Sequence, residues 1–215
     1  MTSAGRLITL EGGEGAGKST QLAHLAARLK EAGCAVVATR EPGGTAGAEA
    51  VRELLIRGGP ERWAPMSETL LLLAARRDHV DRVIAPALAA GRWVLCDRFS
   101  DSTRVYQGIA GTVGLAVIDR LHETVFGALW PDLTLVLDLP APIGLARRRR
   151  QAGENRFERM AAAYHERVRE GFLAIARAAP ERCVVIDASQ PEPAVAGLVR
   201  AAVHARLNLE LTDAG

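Results

Sequence analysis

"RLITLEGGEGAGKST", Arg6 to Thr20, decides the fold. A short apolar run at 6–10 enters a glycine-rich turn, and the turn opens an amphipathic stretch over 18–32. "GGEGAGKS", Gly12 to Ser19, fits G-x-x-x-x-G-K-[ST] and sits between a predicted strand and a predicted helix, the context this motif requires. In Gly12, Gly13, Glu14, Gly15, Ala16 and Gly17 the glycines let backbone N–H groups turn inward around phosphate oxygens. Lys18 adds a point charge, and Ser19, followed by Thr20, offers a hydroxyl to Mg2+. The plain alternative is a strand–helix turn that binds nothing. Spacing, the Lys-Ser pair and context together point instead to a nucleoside triphosphate.

Outward from this loop, short Val, Ile and Leu-rich runs at 6–10, 35–39, 92–96, 133–139 and 182–188 read as strands, apolar on both faces. Between them, helical patterns cover about 18–32, 46–57, 67–90, 114–127, 142–150, 158–178 and 191–206. Ser67 followed by Glu68 reads as a helix start, and Pro86 as a bend or break inside the long segment. The alternation predicts an α/β fold: an open, parallel, five-stranded sheet of the P-loop NTPase type, with helices on both faces and a small lid. No repeat, linker or change of composition divides the chain, so 1–215 reads as one domain. Ligands bind beyond the carboxyl ends of such strands. That places Glu11–Thr20, Arg40–Thr45 and Asp97–Gln107 around one crevice.

Composition narrows the function. The 215 residues are 48% hydrophobic and 24% charged with a net charge of +2, too small a surplus to argue for general nucleic-acid binding. Cys34, Cys96 and Cys183 form no CxxC pair and sit in or beside apolar runs, which suits a reducing compartment. The glycine-rich loop begins within a dozen residues of Met1, and the run "TLLLLAA" is too short to span a bilayer. These features predict a cytoplasmic protein without a membrane partner.

Two further segments carry chemistry. "RWVLCDRF" is an apolar strand ending in Asp97, placed for a role at the metal as in Walker-B strands. "TREPGGT" (39–45) presents Arg40 and Glu41 at a strand end, where Pro42 favours an extended Glu41 and Gly43–Gly44 permit a sharp turn. "DRFSDSTRVYQG" (97–108) follows Asp97 with Arg98 and then hydroxyl, aromatic and amide groups, a mixture suited to a small molecule carrying a phosphate and a ring.

"EGGEGAGKST", "TREPGGT", "AARRDHV…IAPAL", "VLCDRFSDSTRVYQG" and "PDLTLVLD" occur here in the order found in bacterial thymidylate kinases, and the chain resembles that family from about Leu7 to the "VIDAS" strand. The resemblance implies phosphoryl transfer from ATP to dTMP with Mg2+, in a homodimer. It implies that Lys18 and the loop amides hold ATP phosphates, that Ser19 binds Mg2+, and that Glu14 lies near the sugar and phosphate of dTMP. Arg98 matches the arginine that binds the dTMP phosphate, Arg76 one that reaches the base, and Thr103 a residue near its ring nitrogen. Tyr106 would press on the deoxyribose, Gln107 would support this loop, and Arg40, Glu41 and Pro42 would line the monophosphate side. Leu72 stands where family members commonly place a stacking Phe, which keeps open another nucleoside monophosphate kinase with relaxed base choice. A nucleotide-dependent nucleic-acid-binding module is the remaining alternative, disfavoured by the near-neutral charge and sparse aromatics.

"LARRRRQAGENRFER" (145–159) is where one class of the family has its lid, at about 145–158. Gly13–Ala16 offers no basic side chain, so the resemblance assigns charge at the transferring group to lid arginines: Arg149 and Arg156 near the phosphates, Arg147 on adenine beside the loop after Asp187. Gly153 and Asn155 would give the lid its freedom. At 100° per residue, at most two of Arg147 to Arg150 can face the crevice together.

Overall fold

The computed structural model describes residues 5–149, 156–157 and 160–211. β1 (Leu7–Glu11), β2 (Val36–Arg40), β3 (Trp93–Asp97), β4 (Leu133–Asp138) and β5 (Cys183–Asp187) each fall within a residue of their expected bounds. They form one parallel sheet ordered β2-β3-β1-β4-β5. Parallel neighbours need crossovers, and helices supply them on both faces.

β1 shows how the sheet is sealed. Ile8 and Leu10 pack with Leu22, Leu25 and Leu29 of α1 (Lys18–Glu31) and with Val195, Val199 and Val203 of α9 (Glu192–Leu207). Leu7 points to the other face, toward Ile84, Val94 and Phe99. The period of two puts Thr9 and Glu11 on that same second face. Only the three central strands are buried on both faces; β2 and β5 are edges, with half-exposed positions the uniform apolar reading did not anticipate.

The second face carries α3 (Pro65–His79), α6 (Leu115–Phe126) and α8 (Ala162–Ala178), with α2 (Ala46–Ile56) packed on α3. α3 begins at Pro65, two residues before the expected Ser67, because proline suits the first helical turn. The irregularity expected at Pro86 is a π-turn that ends two residues before it. The helical path continues from α3 through this wider π-turn at Val80–Ile84, where the Ala85 N–H reaches the Val80 carbonyl, into α4 (Ala85–Ala89), and Pro86, which has no N–H to donate, follows that turn. Of the four leucines in "TLLLLAARR", Leu73 is buried while Leu70 is 51% exposed, so core packing does not account for most of them.

Residues 100–109, read from sequence only as a polar segment, are helical: α5 (Ser100–Thr103) continues into a π-turn at Arg104–Ile109. Buried Asp101 clamps this segment to the sheet, accepting from Arg182 at 2.6 and 2.9 Å and from Arg104 at 3.1 Å. α7 (Ala141–Arg149) completes the elements. Arg150, Gly153, Asn155 and Glu158 lie outside the described residues, as does the side chain of Arg149. Among the described residues no helix is long and apolar enough to cross a membrane.

Candidate active site

All five strands end at one edge, and the register sets Asp97 beside both Leu10 and Arg40. Beyond that edge lies a crevice of about 920 Å³. The phosphate loop forms its floor. Lys18 donates to the carbonyls of Gly12 at 3.1 Å and Gly13 at 2.7 Å, which fixes the loop's curvature. Burial, and then the Arg98 cation, lower its pKa to about 8 against the pull of Asp97 and Glu14. A polyphosphate restores that charge, so its binding is expected to take up a proton near pH 8. kcat/KM for the triphosphate is accordingly expected to fall as pH rises through about 8, and a pH–rate profile checks this. Ser19 donates to Asp97 at 2.6 Å, which joins the two oxygen donors expected at a metal.

The loop also reaches the other half of the crevice. Glu14 pairs with Arg98 at 2.9 Å and accepts from the Tyr106 hydroxyl at 3.0 Å, while the Arg98 guanidinium lies over the Tyr106 ring at 5.0 Å. Burial alone would raise the Glu14 carboxyl; Arg98, Lys18 and the Tyr106 hydroxyl outweigh it and hold it low. Arg40 pairs with Glu49 at 2.9 Å on the crevice rim.

Arg52, which the sequence reading missed, also lines this half and donates to the Pro42 carbonyl at 3.0 Å. Burial, and then the Arg40 cation, lower its pKa, with Arg98 adding to the effect. An anion bound beside Arg52 would offset the Arg40 and Arg98 cations that disfavour its charge. One signal was readable: Arg52 follows buried Ala48 by four and precedes buried Leu55 by three, so it sits on the inward stripe of α2.

Behind the rim runs a buried chain. Arg76 donates to Glu41 at 2.5 Å, to the Phe99 carbonyl at 3.0 Å and to Thr103 at 2.9 Å. Glu41 also meets His79 Nδ1 at 3.0 Å, and His79 Nε2 meets Thr39 at 2.7 Å. Arg76, Thr103 and Glu41 all reach the crevice wall, as does Leu72. The peptide bond between Glu41 and Pro42 is cis. Among the described residues Glu41, His79 and Cys96 bring potential metal-ligand atoms within 4.8 Å of one another. The Arg76 cation already sits on Glu41, and burial pushes the Cys96 thiol well up and keeps it protonated, so the trio reads as hydrogen bonding rather than a metal cage.

The lid residues divide. Arg147 lines the crevice and donates to the Ala188 carbonyl at 3.3 Å, next to the turn after Asp187. Arg156, expected near the phosphates, does not line the crevice. It is buried, donates to the Leu55 carbonyl at 2.9 Å and pairs with Glu68, which also accepts from Gln107 at 2.7 Å. Glu68 and the Leu55 carbonyl give this buried guanidinium hydrogen-bond partners.

α7 is held by an unanticipated contact. A Cβ on Gly144 would meet the Glu14 carbonyl at 2.1 Å, and one on Gly15 would meet the Gly144 carbonyl at 2.0 Å. Only glycine at both positions lets α7 rest on the phosphate loop, with Arg147 one turn further along the same face. Gly144→Ala must lift α7 by about 1 Å, a displacement that can lower turnover by about 100-fold. Steady-state kinetics of that variant check it.

A donor-phosphate loop and an arginine-lined acceptor half, sharing one crevice on a β2-β3-β1-β4-β5 sheet, define a phosphotransferase of the P-loop nucleoside monophosphate kinase class. The chain belongs to the thymidylate kinase family, whose family model matches residues 10–198. It is 56% identical over 205 residues to a thymidylate kinase of Caulobacter vibrioides, covering 95% of this chain and 99% of that one. It is 52% identical to a thymidylate kinase of Dinoroseobacter shibae, covering 91% and 95%. The crystal structure of thymidylate kinase from Ehrlichia chaffeensis superposes with a TM-score of 0.74 at 35% identity, over 91% of this chain and 97% of that one.

Proposed function

We propose that the chain transfers the γ-phosphoryl group of ATP to dTMP, giving ADP and dTDP, with Mg2+ as the metal. Glu14 carries this reading: one carboxylate of the phosphate loop reaches across to Arg98 and Tyr106, so donor and acceptor sites meet there. Lys18 and the loop amides bind the ATP phosphates, and Arg147 with the 188–191 turn takes the adenine side. Arg98, Arg52 and Arg40 take the dTMP phosphate, with Thr103, Arg76 and Leu72 at its base. Ser19 and Asp97, two hard oxygen donors already in contact, would hold Mg2+, which supplies charge neutralisation on the phosphates. The acceptor oxygen is ionised at neutral pH, so alignment and electrostatics suffice without a strong base. An assay of ADP release across dTMP, dUMP, UMP, CMP, AMP and GMP tests the reading. It expects dTMP to give the highest kcat/KM, and a purine monophosphate in that place would overturn it.

Leu72 gives the base wall an aliphatic contact. Base–aromatic stacking is worth about 1–3 kcal/mol, of which leucine keeps part. Leu72→Phe is therefore expected to lower the KM for dTMP by about three- to tenfold, and an unchanged or higher KM would remove Leu72 from the base. We read 1–215 as one kinase domain with a lid at about 145–158, in which Arg149 supplies charge to the transferring phosphoryl group. A homodimer is supported by exposed Leu54, Met66 and Leu70 on neighbouring α2 and α3. A cytoplasmic setting fits the three unpaired cysteines.

A further inference from the structure

Glu11 ends β1 with its side chain fully buried, on the face it shares with Leu7 and Thr9. A carboxylate there requires hydrogen-bond partners. It accepts from the Phe99 N–H at 2.7 Å, from the Ser102 N–H at 3.3 Å and from the Ser102 hydroxyl at 2.6 Å. These donors follow Arg98, whose φ of 72° places a bulky side chain in the left-handed region that favours glycine. Such a residue persists only where its surroundings over-determine it. Here the Arg98 N–H is held by the Leu10 carbonyl at 3.0 Å, and the next N–H by Glu11.

The side chain of Arg98 is held from the same place. Burial, and then the neighbouring Asp101 carboxylate, push the Glu11 carboxyl up to about 7; once ionised it only accepts, and since a hydroxyl has one proton, the Ser102 proton goes to Glu11 at 2.6 Å. The lone pairs of Ser102 are then left for Arg98 Nη1, which donates to them at 3.2 Å. Reversing that hydroxyl would turn its proton toward the guanidinium.

We propose that Glu11 is a positioning residue for the acceptor phosphate, fixing the backbone of Arg98 through Phe99 and its guanidinium through Ser102. This rests on the reading that Arg98 binds the dTMP phosphate. Glu11→Gln is the sharp variant: if its amide oxygen keeps Phe99, its NH2 faces Ser102 and reverses the hydroxyl.

KM for dTMP and for ATP would be measured in Glu11→Gln, Ser102→Ala, Arg98→Gly and the Glu11→Gln/Arg98→Gly pair. Glu11→Gln is expected to raise the KM for dTMP about tenfold, the scale of one hydrogen bond to a charged group, and to leave the KM for ATP within about twofold. In the Arg98→Gly background it should add nothing, because coupled residues are not additive. Ser102→Ala, which leaves the buried carboxylate in place, should raise the KM for dTMP about threefold and keeps the test open if Glu11→Gln does not fold. Equal losses toward both nucleotides, an undiminished effect without Arg98, or an unchanged KM in Ser102→Ala would make Glu11 purely structural. An Arg98→Gly protein with normal KM for dTMP would instead remove the assignment of Arg98 itself.

Discussion

Lys18→Met is expected to lower kcat/KM for ATP by on the order of 1,000-fold, the largest loss from any single substitution in this site. Lys18 is the only cation on the phosphate loop, and its ammonium is already desolvated against the Gly12 and Gly13 carbonyls. Charge in such a pocket acts at low dielectric and without reorganisation, so its removal weakens ATP binding and costs still more in the transition state. Methionine keeps the volume and the apolar stem, which confines the change to the charge. Single-turnover rates at saturating ATP separate lost chemistry from lost binding, and the loss should remain when ATP saturates.

Arg98→Gly is expected to lower kcat/KM for dTMP by about 100- to 1,000-fold with little change toward ATP, because truncating one partner of a buried charge pair costs about 2–5 kcal/mol. Glycine is the informative replacement, since it relieves the left-handed backbone while deleting the guanidinium. The loss then reports the missing charge and the Glu14 carboxylate left with one partner fewer. Steady-state kinetics with dTMP varied at fixed ATP measure it directly.

Much of this arrangement was legible in the sequence because its signals are local. A run such as "LTLVLD" declares a buried strand, and the spacing of Gly12 to Ser19 declares a phosphate loop before any tertiary contact is known. Lys18 and Ser19 follow because they open the helix behind that loop, and Asp97 because it ends a strand, with Arg98 next to it. What was not legible depends on partners far away in the chain. Arg156 finds Glu68 across 88 positions, a pairing no local pattern could announce. The helix over 100–109 was hidden by Asp, Ser, Thr and Gly, which favour turns until Asp101 is held by Arg182. Gly144 reads as a weak spot in a helix until the Glu14 carbonyl is seen where its Cβ would be. Glu11 reads as the polar end of a strand, and only the donors of Phe99 and Ser102 give it a task.

ATP and dTMP are expected to occupy separate halves of one crevice that meet at Glu14. Calorimetric titration of the Lys18→Met and Arg98→Gly proteins, each with dTMP and with Mg-ATP, tests it most directly. A crossed pattern is expected, in which Lys18→Met keeps dTMP binding and weakens Mg-ATP while Arg98→Gly does the reverse. Both variants losing the same nucleotide, or the pattern inverting, would contradict it.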